Sequence, residues 1–366
     1  MIKHFFFTPI LDYKSGWDTL TFNYIKEFDK KNIVVLCNKK NSKYKYDQYN
    51  VLHKPLDYIR NPFLVFLDYF KIKKIFVKYK NYKKYSHFTV EPYSLLLPLI
   101  SKFFVSNIYY AIGTYSLELK KSIKTNILFY FARKKFNKII FFSSFTKSNV
   151  EKFVDFSWSK TKKIINPITY LKDNFKKKGK FSKKTILCVG EIKYRKGYHH
   201  LINALSVLNN KYKKKFNLIL IGKINDQDYK DQLNKLIIKN NLNKNIQFKN
   251  NVSVKKIKDY YIKSHIFVLL SKKSGNHFEG FGIVYLEALF YGLPVIISNE
   301  SGAKDLKKID KSLKIVSPDN SHNVANEIIN ALNNKKYKNT KINKKILFNH
   351  CKSNKIKLSN FYDKLK

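Results

Sequence analysis

The chain has 366 residues, 44% of them apolar, and a formal net charge of +48 from 73 lysines and arginines against 25 acidic residues. Such a balance ordinarily points to nucleic acid or an anionic surface, yet only Arg60, Arg133 and Arg195 are arginines, and phosphate-reading surfaces favour arginine's bidentate fork. The excess is lysine in a chain also crowded with Asn, Ile, Phe and Tyr, residues that share A/T-rich codons, so a biased genome explains much of it and it does not by itself point to a specific nucleic-acid partner. Length and apolar content suit two globular domains. Cys37, Cys188 and Cys351 are odd in number, widely spaced and without a metal-ligand pattern, which favours a reducing cytoplasm. The N-terminus does not read as a signal peptide, and the longest apolar stretch, 93–105, contains Pro98 and Lys102. It falls short of the ~20 residues that span a bilayer.

In chain order, residues 5–8 read as a strand, followed by a loop with Ser15, Gly16 and Trp17, a helix over 18–29 and a strand at 33–37. Further strands are expected at 87–90, 107–112 and 138–143, the last leading into a capped helix at 144–150. Strands alternating with helices imply a doubly wound parallel sheet. Residues 168–182, rich in Lys, Asp, Asn and Gly, read as a linker, and a second sheet begins at Thr185. Its strands are expected at 185–189, 218–221, 246–248, 266–271, 294–296 and 315–317, with a helix over 325–332.

The most informative segment is 278–288, where Glu279 and Glu287 stand eight positions apart and Glu287 is the lone charge in the apolar run 283–291. This run predicts a helix apolar all round, and therefore buried, ended by Gly292 and Pro294. An ionised glutamate inside it must be paired or hydrogen-bonded. Gly280 and Gly282 flank Phe281 where the chain turns into the helix, so backbone N–H groups can face an anion held by the helix dipole. Phosphate is the natural guest. Glu287 lies roughly 7–8 Å along the axis at ~1.5 Å per residue, so the two carboxylates can reach hydroxyls at opposite ends of a ligand as long as a nucleotide sugar. A plainer reading is a core helix whose lone glutamate caps or pairs with a neighbouring element.

This Glu-x7-Glu segment, the strand after Gly292, and the stretch from Cys188 and Gly190 through Arg195, Lys196 and Gly197 to Leu205 resemble family-four retaining glycosyltransferases of the GT-B fold, the glycosyl transferases group 1. The similarity runs continuously over 185–332. It implies two doubly wound parallel-sheet, Rossmann-like domains facing a cleft. Residues 1–168 would bind the acceptor, 169–345 the nucleotide-sugar donor, and a terminal helix over 346–366, with Ile356, Leu358, Phe361, Tyr362 and Leu365 apolar, would cross back to the first domain. It further implies that Lys196 and Glu279 are catalytic, that Gly16, Gly190, Arg195 and Lys196 meet the diphosphate, that Glu279, Gly280, Phe281, Gly282 and Ile283 meet the sugar and phosphate, and that Glu287 holds the ribose. Two departures stand out. Glu191 occupies the place where the family carries Arg, which shifts the clamp onto Lys196 and Arg195, and Ile112 stands where many members have His.

The function so implied is retaining, metal-independent transfer of a hexose-type sugar from a nucleotide diphosphate sugar to a glycan or lipid-linked acceptor, as in polysaccharide or lipopolysaccharide biosynthesis, with no cofactor. No general base can be named, and same-face transfer needs none, because the leaving phosphate oxygen can take the acceptor's proton. No Asp-x-Asp motif accompanies the site, and lysine plus helix dipole can replace a divalent ion. The alternatives are an α-glucan synthase of the same fold and a basic binding protein on a GT-B scaffold without transfer activity. The segment 71–80 combines lysines with apolar residues, which suggests a cytoplasmic enzyme attached peripherally to the inner, anionic membrane face.

Overall fold

The structure is a computed structural model that describes residues 1–12, 16–167, 179–212, 216–333, 350, 352–355 and 357. The chain forms two compact units, Met1–Tyr170 with Ser353–Lys366, and Leu171–Lys352. The expected linker lies mostly outside the described residues, as do the five apolar positions named for the terminal helix. Lys355, next to them, pairs with Glu27 of the same unit at 3.3 Å.

In the first unit seven strands make one parallel sheet: β1 (Ile2–Thr8), β2 (Ile33–Cys37), β3 (Asp47–Asn50), β4 (Lys83–Phe88), β5 (Ser106–Ala111), β6 (Lys138–Phe141) and β7 (Thr161–Ile164). Their order is β3-β2-β1-β4-β5-β6-β7. Central strands buried on both faces read as apolar runs, and Phe5, Phe6, Phe7 and all of Ile33–Cys37 are buried. β4 begins earlier than its apolar content suggests, because Lys84 and Ser86 are buried in the sheet, Ser86 donating to Asn107 at 2.7 Å. The helices are α1 (Gly16–Ile25), α2 (Pro55–Arg60), α3 (Leu64–Lys78), α4 (Leu97–Ile100), α5 (Thr114–Glu118), α6 (Ile123–Arg133) and α7 (Ser144–Glu151). α1 is shorter than expected, and a 3₁₀ turn at Lys30–Asn32 precedes β2. Within 71–80, Ile72, Ile75 and Phe76 pack into the core and Val77 is exposed.

The second unit repeats the plan with six strands, β8 (Lys184–Val189), β9 (Phe216–Ile221), β10 (Ile246–Lys249), β11 (Ile266–Leu269), β12 (Val295–Ser298) and β13 (Lys314–Val316). All are parallel, in the order β10-β9-β8-β11-β12-β13. The helices are α8 (Tyr198–Tyr212), α9 (Gln227–Lys239), α10 (Val254–Lys263), α11 (Ile283–Phe290) and α12 (Ser321–Asn333). In both sheets the winding reverses once, between β1 and β4 and between β8 and β11. Ligands of open α/β sheets bind outside the carboxyl ends of the strands at such a reversal. The loops that leave β8 and β11 therefore carry the chemistry.

Candidate active site

β8 ends at Val189, and the chain passes through Gly190, a 3₁₀ turn at Tyr194–Lys196, and Gly197 before entering α8. Gly197 has φ +68°, and a Cβ there would stand 2.0 Å from the Leu270 carbonyl oxygen. Only glycine lets this loop lie against the end of β11. The Lys272 N–H donates to the Arg195 carbonyl at 2.9 Å, and the Tyr198 hydroxyl donates to the Gly190 carbonyl at 2.6 Å. The two loops are thus held together by backbone, and their side chains meet.

They meet at Glu279. Arg195 Nη1 donates to its Oε2 at 3.0 Å, Lys196 Nζ pairs with the same oxygen, and Ser271 Oγ approaches it at 3.4 Å. The carboxylate is 9% exposed. Burial by itself would raise its pKa, but the Lys196 and Arg195 charges outweigh that and hold it at about 2. Lys196 is lowered from its ordinary value, chiefly by burial and against the pull of Glu279. Two cations and one anion leave a local excess of positive charge, a setting that favours an anionic ligand. The chain past Glu279 is fixed too. The Gly302 N–H donates to the Glu279 carbonyl at 2.9 Å.

Gly282, at φ +80°, precedes the first residue of α11. A Cβ there would fall 2.5 Å from the Tyr285 ring, whose hydroxyl donates to the Leu269 carbonyl at 3.2 Å. α11 is not buried all round, contrary to the pattern of its sequence. Tyr285, Leu286, Ala288, Leu289 and Phe290 are buried, while Ile283, Val284 and Glu287 share a partly open face. The lone charge sits where the helix emerges. Glu287 Oε2 accepts from the Tyr261 hydroxyl at 3.0 Å, and burial, only partly offset by that hydroxyl, pushes the carboxyl up to about 7.

The sequence-derived residues fall into groups. Gly190, Arg195, Lys196, Glu279 and Gly282 converge, Gly280, Phe281 and Ile283 connect Glu279 to α11, and Glu287 lies one turn further along. Glu191 is bound to Lys193 and Asn225. Burial favours its neutral form, but the Lys193 contact outweighs this and lowers its pKa. Gly16 belongs to the other unit, exposed at the start of α1 with nothing within 4 Å of an added Cβ. Its neighbour Trp17 packs on Tyr115 at 4.5 Å between ring centres, so the starts of α1 and α5 touch. Ile112 lies between β5 and α5, partly exposed, just before Gly113 at φ +136°. Sequence reasoning missed Tyr261, Ser271 and Tyr285. It also missed Glu91, wholly buried, which accepts from the N–H groups of Gly113 and Ser116 at 3.1 and 3.2 Å and from the Ser116 hydroxyl at 2.5 Å. Among the described residues no group of three or more His, Cys, Asp or Glu is set to hold a metal.

Two parallel Rossmann-like sheets, with cations, a carboxylate and a glycine-started helix at the reversal of the second, define a GT-B protein. The whole chain superposes on solved GT-B structures: Anabaena Alr3699/HepE in complex with UDP and glucose (TM-score 0.74, 14% identity, 99% of this chain and 100% of that one) and a glycosyltransferase of Rickettsia africae (0.68, 16%, 100% and 98%). Sucrose-phosphate synthase of Thermosynechococcus elongatus superposes equally well (0.74, 15%, 99% and 99%). Residues 172–346 match the family of glycosyl transferases group 1, and this part of the chain is a domain of that family. Curated relatives include an uncharacterized glycosyltransferase of Haemophilus influenzae, 35% identical over 145 residues, which are 39% of this chain and 37% of that protein. Another is a GDP-mannose-dependent alpha-(1-6)-phosphatidylinositol monomannoside mannosyltransferase of Mycobacterium tuberculosis, 25% identical over 150 residues, 40% of this chain and 38% of that protein. The matches thus span under two fifths of these relatives.

Proposed function

We propose that this protein is a glycosyltransferase that moves a hexose-type sugar from a nucleotide diphosphate sugar to a glycan or lipid-linked acceptor, with retention of configuration and without a metal ion. The observation that carries this reading is the convergence of Arg195 and Lys196 on Glu279 at the carboxyl ends of β8 and β11, beside the start of α11. The group 1 family match and the neighbour solved with UDP-glucose support it. In this reading Glu279 binds sugar hydroxyls, Glu287 binds ribose hydroxyls, and Gly16 and Gly190 let backbone approach the diphosphate. As the bond from the anomeric carbon to the phosphate oxygen breaks, negative charge grows on the diphosphate. Lys196, Arg195 and the α11 N-terminus are already oriented to stabilise it, which is where preorganised charge accelerates a reaction. The acceptor oxygen attacks the same face of the sugar, and its proton passes to the departing phosphate oxygen, so no protein base is required.

The test is a donor panel in which nucleoside diphosphate release is followed and the anomeric configuration of the product is read by NMR. Acceptor-dependent release with retained configuration, unaltered by chelator, is the expected outcome. An inverted product or a strict divalent-metal requirement overturns the mechanism. Donor binding without release from any donor and acceptor pair favours a binding protein.

A further inference from the structure

The exposed apolar side chains are distributed unevenly. Of the 19 large ones exposed among the described residues, only Tyr194, Ile238, Val254 and Ile315 lie in the second unit. In the first unit two helices account for most of the rest. α3 buries Val65, Ile72, Ile75 and Phe76, yet Phe63, Phe66, Leu67 and Phe70 recur at helical spacing on its opposite face, Phe70 being 63% exposed. α6 behaves alike. It buries Phe129 and Ala132 and exposes Ile123, Ile127, Tyr130 and Phe131, with Ile123 79% exposed. A helix that needs one apolar face for its core and shows a second to water has a partner for the second.

The two stripes belong to one surface. α3 and α6 both pack against the segment formed by the 3₁₀ turn Glu91–Leu96 and α4. Lys124 of α6 lies 5.6 Å over the ring of Phe63 at the start of α3, and Phe63 stacks on Phe66. Trp158 extends the surface, packing on Tyr130 at 5.7 Å. Beside α6 an open groove of about 360 Å³ is lined by Lys120, Ile127, Tyr130, Phe131 and Arg133.

Charge identifies the partner. Residues 63–80 hold one acidic side chain, Asp68, which is buried and bound to His53, Tyr58 and Lys71, and residues 119–135 hold none. Lys71, Lys73, Lys74 and Lys78 on α3, with Lys124 and Lys134 at α6, are exposed around the apolar stripes. A second copy of this chain would bring the same lysines face to face, and a nucleic acid, which can stack bases on the aromatic rings, would leave the exposed Leu67, Ile123 and Ile127 without a partner. An anionic bilayer matches both features, taking apolar side chains below its headgroups and lysines at its surface. We propose that the outer faces of α3 and α6 dock on an anionic lipid bilayer, with Phe66, Phe70, Ile127 and Phe131 inserted and the lysines among the headgroups. The docking does not depend on transfer.

The test is co-sedimentation with phosphatidylcholine vesicles, with and without phosphatidylglycerol, at low and high salt. The parent is expected to bind only the anionic vesicles and to be released by salt. Phe66→Ser with Phe70→Ser and Ile127→Ser should weaken binding by roughly tenfold or more, as should Lys73→Gln with Lys74→Gln and Lys124→Gln. Ile238→Ser, an equally exposed site in the second unit, and Lys196→Ala should bind like the parent. Because the only tryptophans are Trp17 and Trp158, Trp17→Phe makes Trp158 the sole reporter, and brominated lipid should quench it. No binding by the parent at low salt overturns the proposal. So does binding that survives the apolar triple change and leaves Trp158 unquenched, which would mark adsorption of a polycation.

Discussion

Glu279 and Glu91 are both buried carboxyls, and they are shifted in opposite directions from an ordinary value of 4.5. Glu279 faces Lys196 and Arg195, whose charges overcome burial and hold it at about 2. Its contribution to stability is therefore present above pH 4.5 and lost as pH falls toward 2. Glu91 has hydrogen bonds but no cation, and burial pushes it up to about 7. Its contribution is fully present below pH 4.5 and is lost as pH rises through 7, because the folded chain then gives up a proton that it held more tightly than the unfolded one. Glu91→Gln keeps an acceptor oxygen for Gly113 and Ser116 and removes the ionisation. The decline of stability from about pH 4.5 to pH 7 should shrink by on the order of 3 kcal/mol, as measured by urea unfolding across that range. An unchanged slope would clear Glu91 of the effect; Glu287, shifted the same way, adds to the decline, while the histidines lowered by burial, His4, His87, His199 and His200, oppose it. At the donor site, Glu279→Gln should lower turnover and Glu287→Gln should weaken donor binding. Each effect should exceed roughly tenfold, since a hydrogen bond to a charged group is worth about 1.5–3 kcal/mol. Lys196→Ala should nearly abolish transfer and Arg195→Ala should reduce it measurably. Parent-like kinetics in all four variants would remove the site.

At the scale of elements, the start of α11 is set by the space available. Gly282 combines a left-handed backbone with a Tyr285 ring that an added Cβ would strike at 2.5 Å, and that ring is buried with its hydroxyl on Leu269. Gly282→Ala should cost about 1–3 kcal/mol in stability and weaken donor binding with it. Gly16→Ala meets open space and should leave the melting temperature unchanged, so any loss of transfer in that variant reads directly on a functional contact. A melting temperature for Gly282→Ala equal to the parent's would show that the turn can adapt. The same physics explains what the sequence disclosed. Buried parallel strands are continuous apolar runs punctuated by glycine, so β8, β9, β11 and the turn before α11 are legible in it. The edge strands β3 and β7 read Asp-Gln-Tyr-Asn and Thr-Lys-Lys-Ile and are not, because edges carry polar side chains that discourage further pairing. Arg195 and Glu279 are 84 positions apart, and their contact follows from the order of the strands, which no local pattern encodes. Tyr261, the partner of Glu287, sits on α10, whose pattern marks it as a packing residue. The outward stripe of α3 was hidden for a related reason, since a helix apolar on two faces resembles one that is simply buried.

For the whole molecule, charge sets how stability responds to salt. Exposed ion pairs such as Lys147 with Glu151 at 2.9 Å lose strength as salt screens them, which would make salt destabilising. Repulsion among like charges loses strength as well, which makes salt stabilising. The counts decide between the two. With 73 basic and 25 acidic side chains, one-to-one pairing of every acid still leaves 48 cations facing other cations. The Debye length falls from about 30 Å at 0.01 M to about 8 Å at 0.15 M, from a distance comparable to a domain to little more than one side chain. Most of the long-range repulsion therefore disappears over that interval, whereas pairs in direct contact are screened less. The melting temperature should rise by several degrees on going from low to physiological sodium chloride, each kcal/mol of relief appearing as roughly 2–4 °C for a unit of this size. Binding of chloride at the cationic donor site would give the same sign, and Lys196→Ala separates the causes. A diffuse field leaves the salt slope of that variant parallel to the parent's, whereas a specific anion site makes it shallower. A melting temperature that stays flat or falls with salt would mean that contact pairs, and not the net charge, govern how the fold tolerates its lysines.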